Sequence, residues 1–440
     1  MPKKKSNEQH LRVYKNKSEF HRTTKNIEVF QEGTLTKSAI SRVKKIKDEL
    51  ADGFLEEMII NLKTGEDKFN RDKISDNAFD AIDGLVESLT SEVGRALIGL
   101  SIMQMSIKSI DRQQNIRLHK GGSSANSFSW SEGISMRTLD KSYVTPTLRK
   151  YDLLRLNADG FMMTRSLAEN YPYTSLYKAH LRGARQEWLT LVDEVESEST
   201  DASESLKLLL AKLINAAAGF EESANALIKT SVKKTEKITT RLDALSFVER
   251  HIDLSDYAAR LLEISMHALL QAVVESGALG HQALKPLSQM RSANKKHGNI
   301  GDIELLENDE IIESWDAKYG KGYLREEIEE VAEKLAKHEA AVIVGFVTTS
   351  EIERIEEIEG RISEIEDLYS ISLRVVTLSE WVELIYKRAI ESELISEKQL
   401  SGSWIQIYSE YLCQKRREQA PIDEPCLQWI DSLKEVFTPL

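Results

Sequence analysis

The chain has 440 residues, 41% hydrophobic and 30% charged, with 7 Pro and 21 Gly; that length allows two or three domains with their own cores, and the composition excludes a disordered or fibrous protein. Its two cysteines, Cys413 and Cys426, fit no CxxC pattern, which argues against a disulfide framework or a thiolate zinc site and fits a reducing cytoplasm. The formal charge of -12 weighs against a nucleic-acid partner only if the charge is evenly spread.

Charge is not evenly spread. The basic N-terminus, residues 1–17, leads into no apolar signal-peptide core, and no later run approaches the roughly 20 apolar residues of a membrane span. Residues 81–110 carry apolar side chains at mixed three- and four-residue spacing and predict a long buried helix, with Met103 and Met105 as core filler. Residues 112–185 then hold twelve Lys/Arg against five Asp/Glu, interleaved with aromatics from Phe128 through Trp130, Tyr143, Tyr151, Phe161, Tyr171 and Tyr173 to Tyr177, with Trp188 just beyond. This is the footprint expected of a nucleic-acid-binding surface. Candidate DNA contacts in it are Arg137, Lys141, Arg149 and Lys150, followed by Arg155, Arg165, Arg182 and Arg185. Residues 118–124 look superficially like a phosphate loop but lack its Gly-Lys-Ser/Thr order, so nucleotide hydrolysis is not expected.

Residues 194–205 are acidic, Ser-rich and aperiodic, and predict a linker. The expected division is therefore a mainly helical DNA-recognition region, 1–200, and a second domain, 201–440. The second domain begins with helical patterns over 206–237 and 253–277. The texture then changes: residues 302–306 and 311–318 read as short strands joined by turn chemistry at 307–310. Leu324, Ile328, Val331 and Leu335 mark a helix, 340–347 a buried strand, 352–368 an acidic amphipathic helix facing solvent, and 371–378 another strand before a helix opening at Ser379. Hairpin, helix, strand, helix, strand, helix describes an α/β core with a mixed sheet at about 253–390, followed by a helical extension. The expected fold class is α+β overall.

Alternation along a strand puts Asp316 and Lys318 on one face, with Asp302 across the hairpin. Two converging carboxylates suit a hard cation such as Mg²⁺, and Lys318 suits a point charge against a phosphate oxyanion. Gly301, Asp302, Ile303 and Glu304, followed by Ser314, Trp315, Asp316, Ala317 and Lys318, resemble the metal-binding hairpin of the PD-(D/E)xK nuclease superfamily, and many bacterial restriction endonucleases carry a similar Gly-Asp-Ile hairpin. Ile300 and Gly301 stand where the literal motif has Pro. The resemblance covers about 280–390 and implies a restriction-endonuclease-like core with Asp302, Asp316 and Lys318 catalytic. Asp302 and Asp316 would also hold the metal.

A third carboxylate often joins such sites. Glu263 and Glu275 on the preceding helix, and Glu304 beside Asp302, are the candidates, although a solvated helix face accounts for Glu263 and Glu275 more simply. His267 reads as a core histidine. Arg291, Lys295, Lys296 and His297 form a basic loop just upstream, placed to touch phosphates or simply solvated. The expected activity is Mg²⁺-dependent, site-specific cleavage of double-stranded DNA, as in type II restriction enzymes. A homodimer would match a palindromic site, and a cognate DNA methyltransferase would protect the host. The alternatives are a non-sequence-specific or structure-specific nuclease of repair or phage defence, and a non-catalytic helical DNA-binding protein.

Overall fold

The computed structural model describes residues 9–439 apart from 24–25, 123–127, 155–159, 164–166, 168–169, 178–180, 182, 288–298, 339–340 and 416–424. The chain divides into two units, Met1–Gly219 and Phe220–Leu440. The division falls inside a helix, about 20 residues beyond the expected boundary, because the acidic stretch is only a short connection between two helices. Both units mix helix and strand, and among the described residues no helix is long and apolar enough to cross a membrane.

The first unit opens with an antiparallel meander, β1 (His10–Val13), β2 (Lys17–His21) and β3 (Ile27–Gln31), strands that the expected mainly helical region did not include. Phe20 and Phe30 anchor it against Leu118 and Trp130. Helices α1 (Lys37–Ala51), α2 (Phe54–Thr64), α3 (Asp76–Glu87) and α4 (Glu92–Ile110) follow. The predicted helix over 81–110 is thus two helices, because the extended Ser91 caps α4 by accepting the Gly94 N–H. Every residue of α4 from Ala96 to Lys108 is buried, so α4 is the central rod of the unit. Two short helices, α5 (Met136–Leu139) and α6 (Thr145–Lys150), precede α7 (Arg185–Glu196) and the 33-residue α8 (Ala202–Lys234).

Aromatic residues expected on a DNA-binding surface are mostly core. Trp130, Phe161, Tyr173, Tyr177 and Trp188 are at most 2% exposed, and Tyr173, Tyr177 and Trp188 meet edge to face. Trp188 donates its indole N–H to Gln104 Oε1 of α4 at 2.8 Å. The interleaving therefore arises because this segment turns most of these rings inward, while cations such as Arg112, Arg137, Lys141 and Lys150 are exposed.

The second unit holds α9 (Arg241–Asp253), α10 (Ala258–Glu275), β4 (Ala283–Leu284), β5 (Ile303–Glu307), β6 (Glu310–Lys318), α11 (Arg325–Leu335), β7 (Ile343–Thr348), α12 (Ile355–Tyr369), β8 (Ser372–Thr377), α13 (Leu378–Glu391), α14 (Glu397–Glu410) and α15 (Cys426–Phe437). The sheet order is β4-β5-β6-β7-β8. Pairing is antiparallel through β4, β5 and β6, then parallel through β7 and β8, because α11 and α12 return the chain to the same end of the sheet. Asn308 and Asp309 both take positive φ in the two-residue turn between β5 and β6, the geometry that matches the twist of a tight hairpin.

Alternating side chains build two cores, one on each face of the sheet. Ile303, Leu305, Trp315 and Val347 join the core that includes α9, α10, α13, α14 and α15. Val344, Phe346 and Leu373 join the core of α11 and α12.

Candidate functional site

Asp302 precedes β5 and is held to β6 through its own main chain and side chain. Its N–H donates to Trp315 O at 3.0 Å, and its Oδ2 accepts the Ala317 N–H at 3.0 Å. The approach is close enough that a Cβ on Gly301 would lie 2.8 Å from the Trp315 carbonyl oxygen and 2.7 Å from Ser314 Oγ. Glycine therefore stands before Asp302 because the main chain has no room for a side chain there.

Asp316, 8% exposed, lies on the facing stretch of β6, and Lys318 Nζ is 2.9 Å from Asp316 Oδ2. Burial raises the Asp302 carboxyl well above its ordinary value, reinforced by the charge of Asp316, a hydrogen bond shared with that carboxyl, and the charge of Glu263; the Ala317 N–H pulls the other way. Burial alone would lower the Lys318 ammonium, but Asp316, Asp302 and Glu327 outweigh it and hold it above its ordinary value. The site thus crowds an ammonium and several carboxyl groups together.

The Glu263 side chain is not on a solvated helix face. It is 5% exposed on α10, ion-paired with Arg260 one turn earlier, and its charge acts on Asp302. Glu275 is exposed at the end of the same helix. His267 is a buried core histidine, its Nε2 2.9 Å from the Lys285 carbonyl oxygen.

Glu304 sits beside the site in a different role from the metal ligand its strand position suggests. Its Oε1 accepts the N–H groups of Ile300 at 2.6 Å and Gly301 at 3.3 Å, and its Oε2 pairs with Lys285 Nζ at 2.7 Å. Its Oε1 thus holds the segment that delivers Asp302, and its Oε2 holds Lys285, whose Nζ also donates to Asn299 Oδ1 of that segment at 2.7 Å. Sequence spacing gave no sign of this clamp, because the groups it binds are main-chain N–H donors.

Carboxylate oxygens are the donors a hard divalent cation takes, and Mg²⁺ is commonly held by one or two of them with water filling its remaining positions. Among the described residues no group of three or more His, Cys, Asp or Glu side chains forms a ready-made cage. The pair Asp302 and Asp316, with Glu263 near, fits the sparser arrangement. Burial raises Asp302 first, and the Asp316 and Glu263 charges that add to it are charges a divalent cation would offset.

The DNA-contact candidates separate into three sets. Arg137 and Lys141 are exposed, with Arg137 Nη2 also donating to the Met162 carbonyl at 3.2 Å. Arg149 is half-buried; Lys150 pairs with Glu56, and Arg185 donates to the Tyr177 carbonyl, so these two are partly spent on the fold. Arg155, Arg165, Arg182, Arg291, Lys295, Lys296 and His297 lie outside the described residues. No protein-family model matches the chain, and no curated protein matches it.

Proposed function

We propose that the chain is a Mg²⁺-dependent endonuclease that hydrolyses phosphodiester bonds of double-stranded DNA at specific sites. The observation that carries this reading is the joining of Asp302, Asp316 and Lys318 across one hairpin, with the buried Glu263 acting on the same carboxyl. Asp302 and Asp316 would hold the cation, with Glu263 as the third acid. When bound, the metal would acidify a water and neutralise phosphate charge. Lys318 would supply a positive charge to offset the negative charge that a pentavalent phosphate develops. Asp316 orients that ammonium, and the Ala317 N–H fixes the Asp302 carboxylate. Arg137 and Lys141 are exposed cations suited to phosphate contacts. A homodimer reading a two-fold site, and a companion methyltransferase, belong to the same proposal.

The test is incubation of plasmid DNA with the full chain and Mg²⁺ or Mn²⁺. Discrete bands that disappear in Asp316→Asn and Lys318→Ala, with both variants folded by circular dichroism, are expected. A smear would move the reading to a nuclease without sequence specificity. DNA binding without cutting in either metal would replace it with a non-catalytic DNA-binding protein.

A further inference from the structure

A cavity of about 500 Å³ opens at the C-terminal ends of the parallel strands of the second unit. Lys318, Thr348 and Thr377 form one row across β6, β7 and β8, and the cavity lies just past the end of that row. Its walls are Tyr319 and Gly320 after β6, Thr349 and Ser350 after β7, the segment 377–379 at the start of α13, and Glu249, Ile252 and Asp253 of α9. Ligands of open α/β sheets collect at this end of the strands. Tyr319 follows Lys318 directly, so the cavity opens at the end of the strand that carries the proposed catalytic lysine.

The lining selects by charge. Among its described residues none is Lys or Arg, while Glu249 and Asp253 stand one helical turn apart. The N-terminus of α13 offers little to an anion, because Thr377 and Glu380 cap each other's main-chain N–H groups. A phosphate would meet two carboxylates and no cation here, so the nucleic-acid backbone is not what this cavity holds. What the walls offer is the 41% exposed ring of Tyr319, the hydroxyls of Ser350 and Ser379, and two carboxylates that accept hydrogen bonds. Thr349 Oγ1 accepts the Gly320 N–H at 2.9 Å and ties two of the walls together.

The geometry points to a pocket for one unpaired nucleobase bearing an exocyclic amino group, cytosine or adenine, at the end of the strand that carries Asp316 and Lys318. Tyr319 gives a base a stacking face, and a carboxylate is the natural acceptor for an exocyclic amine. Extruding a base from a duplex costs a few kcal/mol, and least where it is already unpaired. The substrate preference that follows is for double-stranded DNA in which a cytosine or adenine at the cut is unpaired or can be extruded. This inference rests on the nuclease reading for its location and extends it to the substrate.

Binding separates the two ideas. Fluorescence anisotropy of the full chain, in Ca²⁺ to suppress cutting, would compare a fully paired duplex with duplexes bearing one bulged cytosine, adenine or thymine. The expected result is binding about tenfold tighter for bulged cytosine or adenine than for bulged thymine or the paired duplex. Tyr319→Ala, and Glu249→Gln combined with Asp253→Asn, should each abolish that preference, whereas Tyr319→Phe keeps it. Equal binding of all four duplexes, or a preference that survives Tyr319→Ala, overturns the pocket. A wild-type chain that never cuts but keeps the preference would sink the nuclease reading alone. Cutting of paired DNA that depends on Asp316, without any preference, would sink the pocket alone.

Discussion

Replacing Glu304 by Ala removes one carboxylate and three hydrogen bonds at once. The side chain is 1% exposed, and its partners are Lys285 and the main-chain N–H groups of Ile300 and Gly301. Breaking a buried ion pair costs about 3–5 kcal/mol, but the Lys285 side chain is 36% exposed and can return to water, which brings the loss toward the lower end. Each buried N–H left unsatisfied adds about 1–3 kcal/mol in isolation, partly regained as the segment relaxes. The expected destabilisation is about 3 kcal/mol, read from urea unfolding monitored by tryptophan fluorescence. Glu304→Gln keeps one acceptor and should lose about half as much, while Lys285→Met should lose less than about 1 kcal/mol. Because Gly301 is the neighbour of Asp302, the DNA cleavage proposed for the wild type should fail in Glu304→Ala at temperatures where the variant is still folded. A loss below about 0.5 kcal/mol, the range of ordinary surface changes, would refute the clamp.

Gly345 on β7 faces the indole of Trp315, and an added Cβ would lie 2.2 Å from its Cζ3; Gly345→Ala should cost about 3 kcal/mol in chemical denaturation, and Trp315→Phe should recover part of it by deleting the clashing ring. His251 is buried between Tyr408 Oη at 2.7 Å and the Trp429 carbonyl at 2.9 Å, so Nε2 donates to the carbonyl and Nδ1 accepts from the phenol. Burial pulls this imidazole down from 6.5 to about 4, with the Trp429 carbonyl opposing. A base depressed in the folded state is stabilising above the unfolded value and loses that stability as pH falls from 6.5 toward 4. Wild type should therefore lose about 2 kcal/mol more than His251→Gln between pH 7 and pH 5, and parallel pH profiles would count against it. Asp302 is an acid raised in the folded state, first by burial and then by Asp316; its contribution is full below the unfolded value near 3.8 and lost as pH rises through the folded one. Without added metal, Asp302→Asn should lose less stability than wild type as pH rises, and an unchanged slope would contradict the crowding.

The strands and helices of the α/β core were legible because each announces itself locally. The apolar run over 340–347 became β7, and the Asn308–Asp309 turn closed the hairpin as its residue types suggest. The bulge between Leu305 and Leu306 was invisible. The meander at the N-terminus was missed because its strands are short and polar, with Phe20 and Phe30 as its buried apolar anchors. Helix α9 could have been found: Thr240 and Asp243 form a capping box three residues apart. At the site, Asp302, Asp316 and Lys318 were readable because they share one hairpin. Glu263 was undervalued because helical spacing does not tell which face of α10 turns toward the sheet, and the Glu304 clamp depends on main-chain donors that have no letter of their own.

The mixed sheet also sets the order in which this protein can acquire a working site. The β5–β6 hairpin closes over two residues and can form within microseconds, bringing Asp302 and Asp316 together early. Its parallel partner is distant: Asp316 pairs with Phe346, and Phe346 with Val375, so each closure spans about 30 residues and comes late. Until β7 and β8 dock, the hairpin would carry its facing carboxylates without the packed strands that bury them, and it would remain chemically idle. On the proposed function, a nascent chain would become competent only as the sheet completes, so the proposed nuclease activity regained after dilution from denaturant should trail the formation of secondary structure.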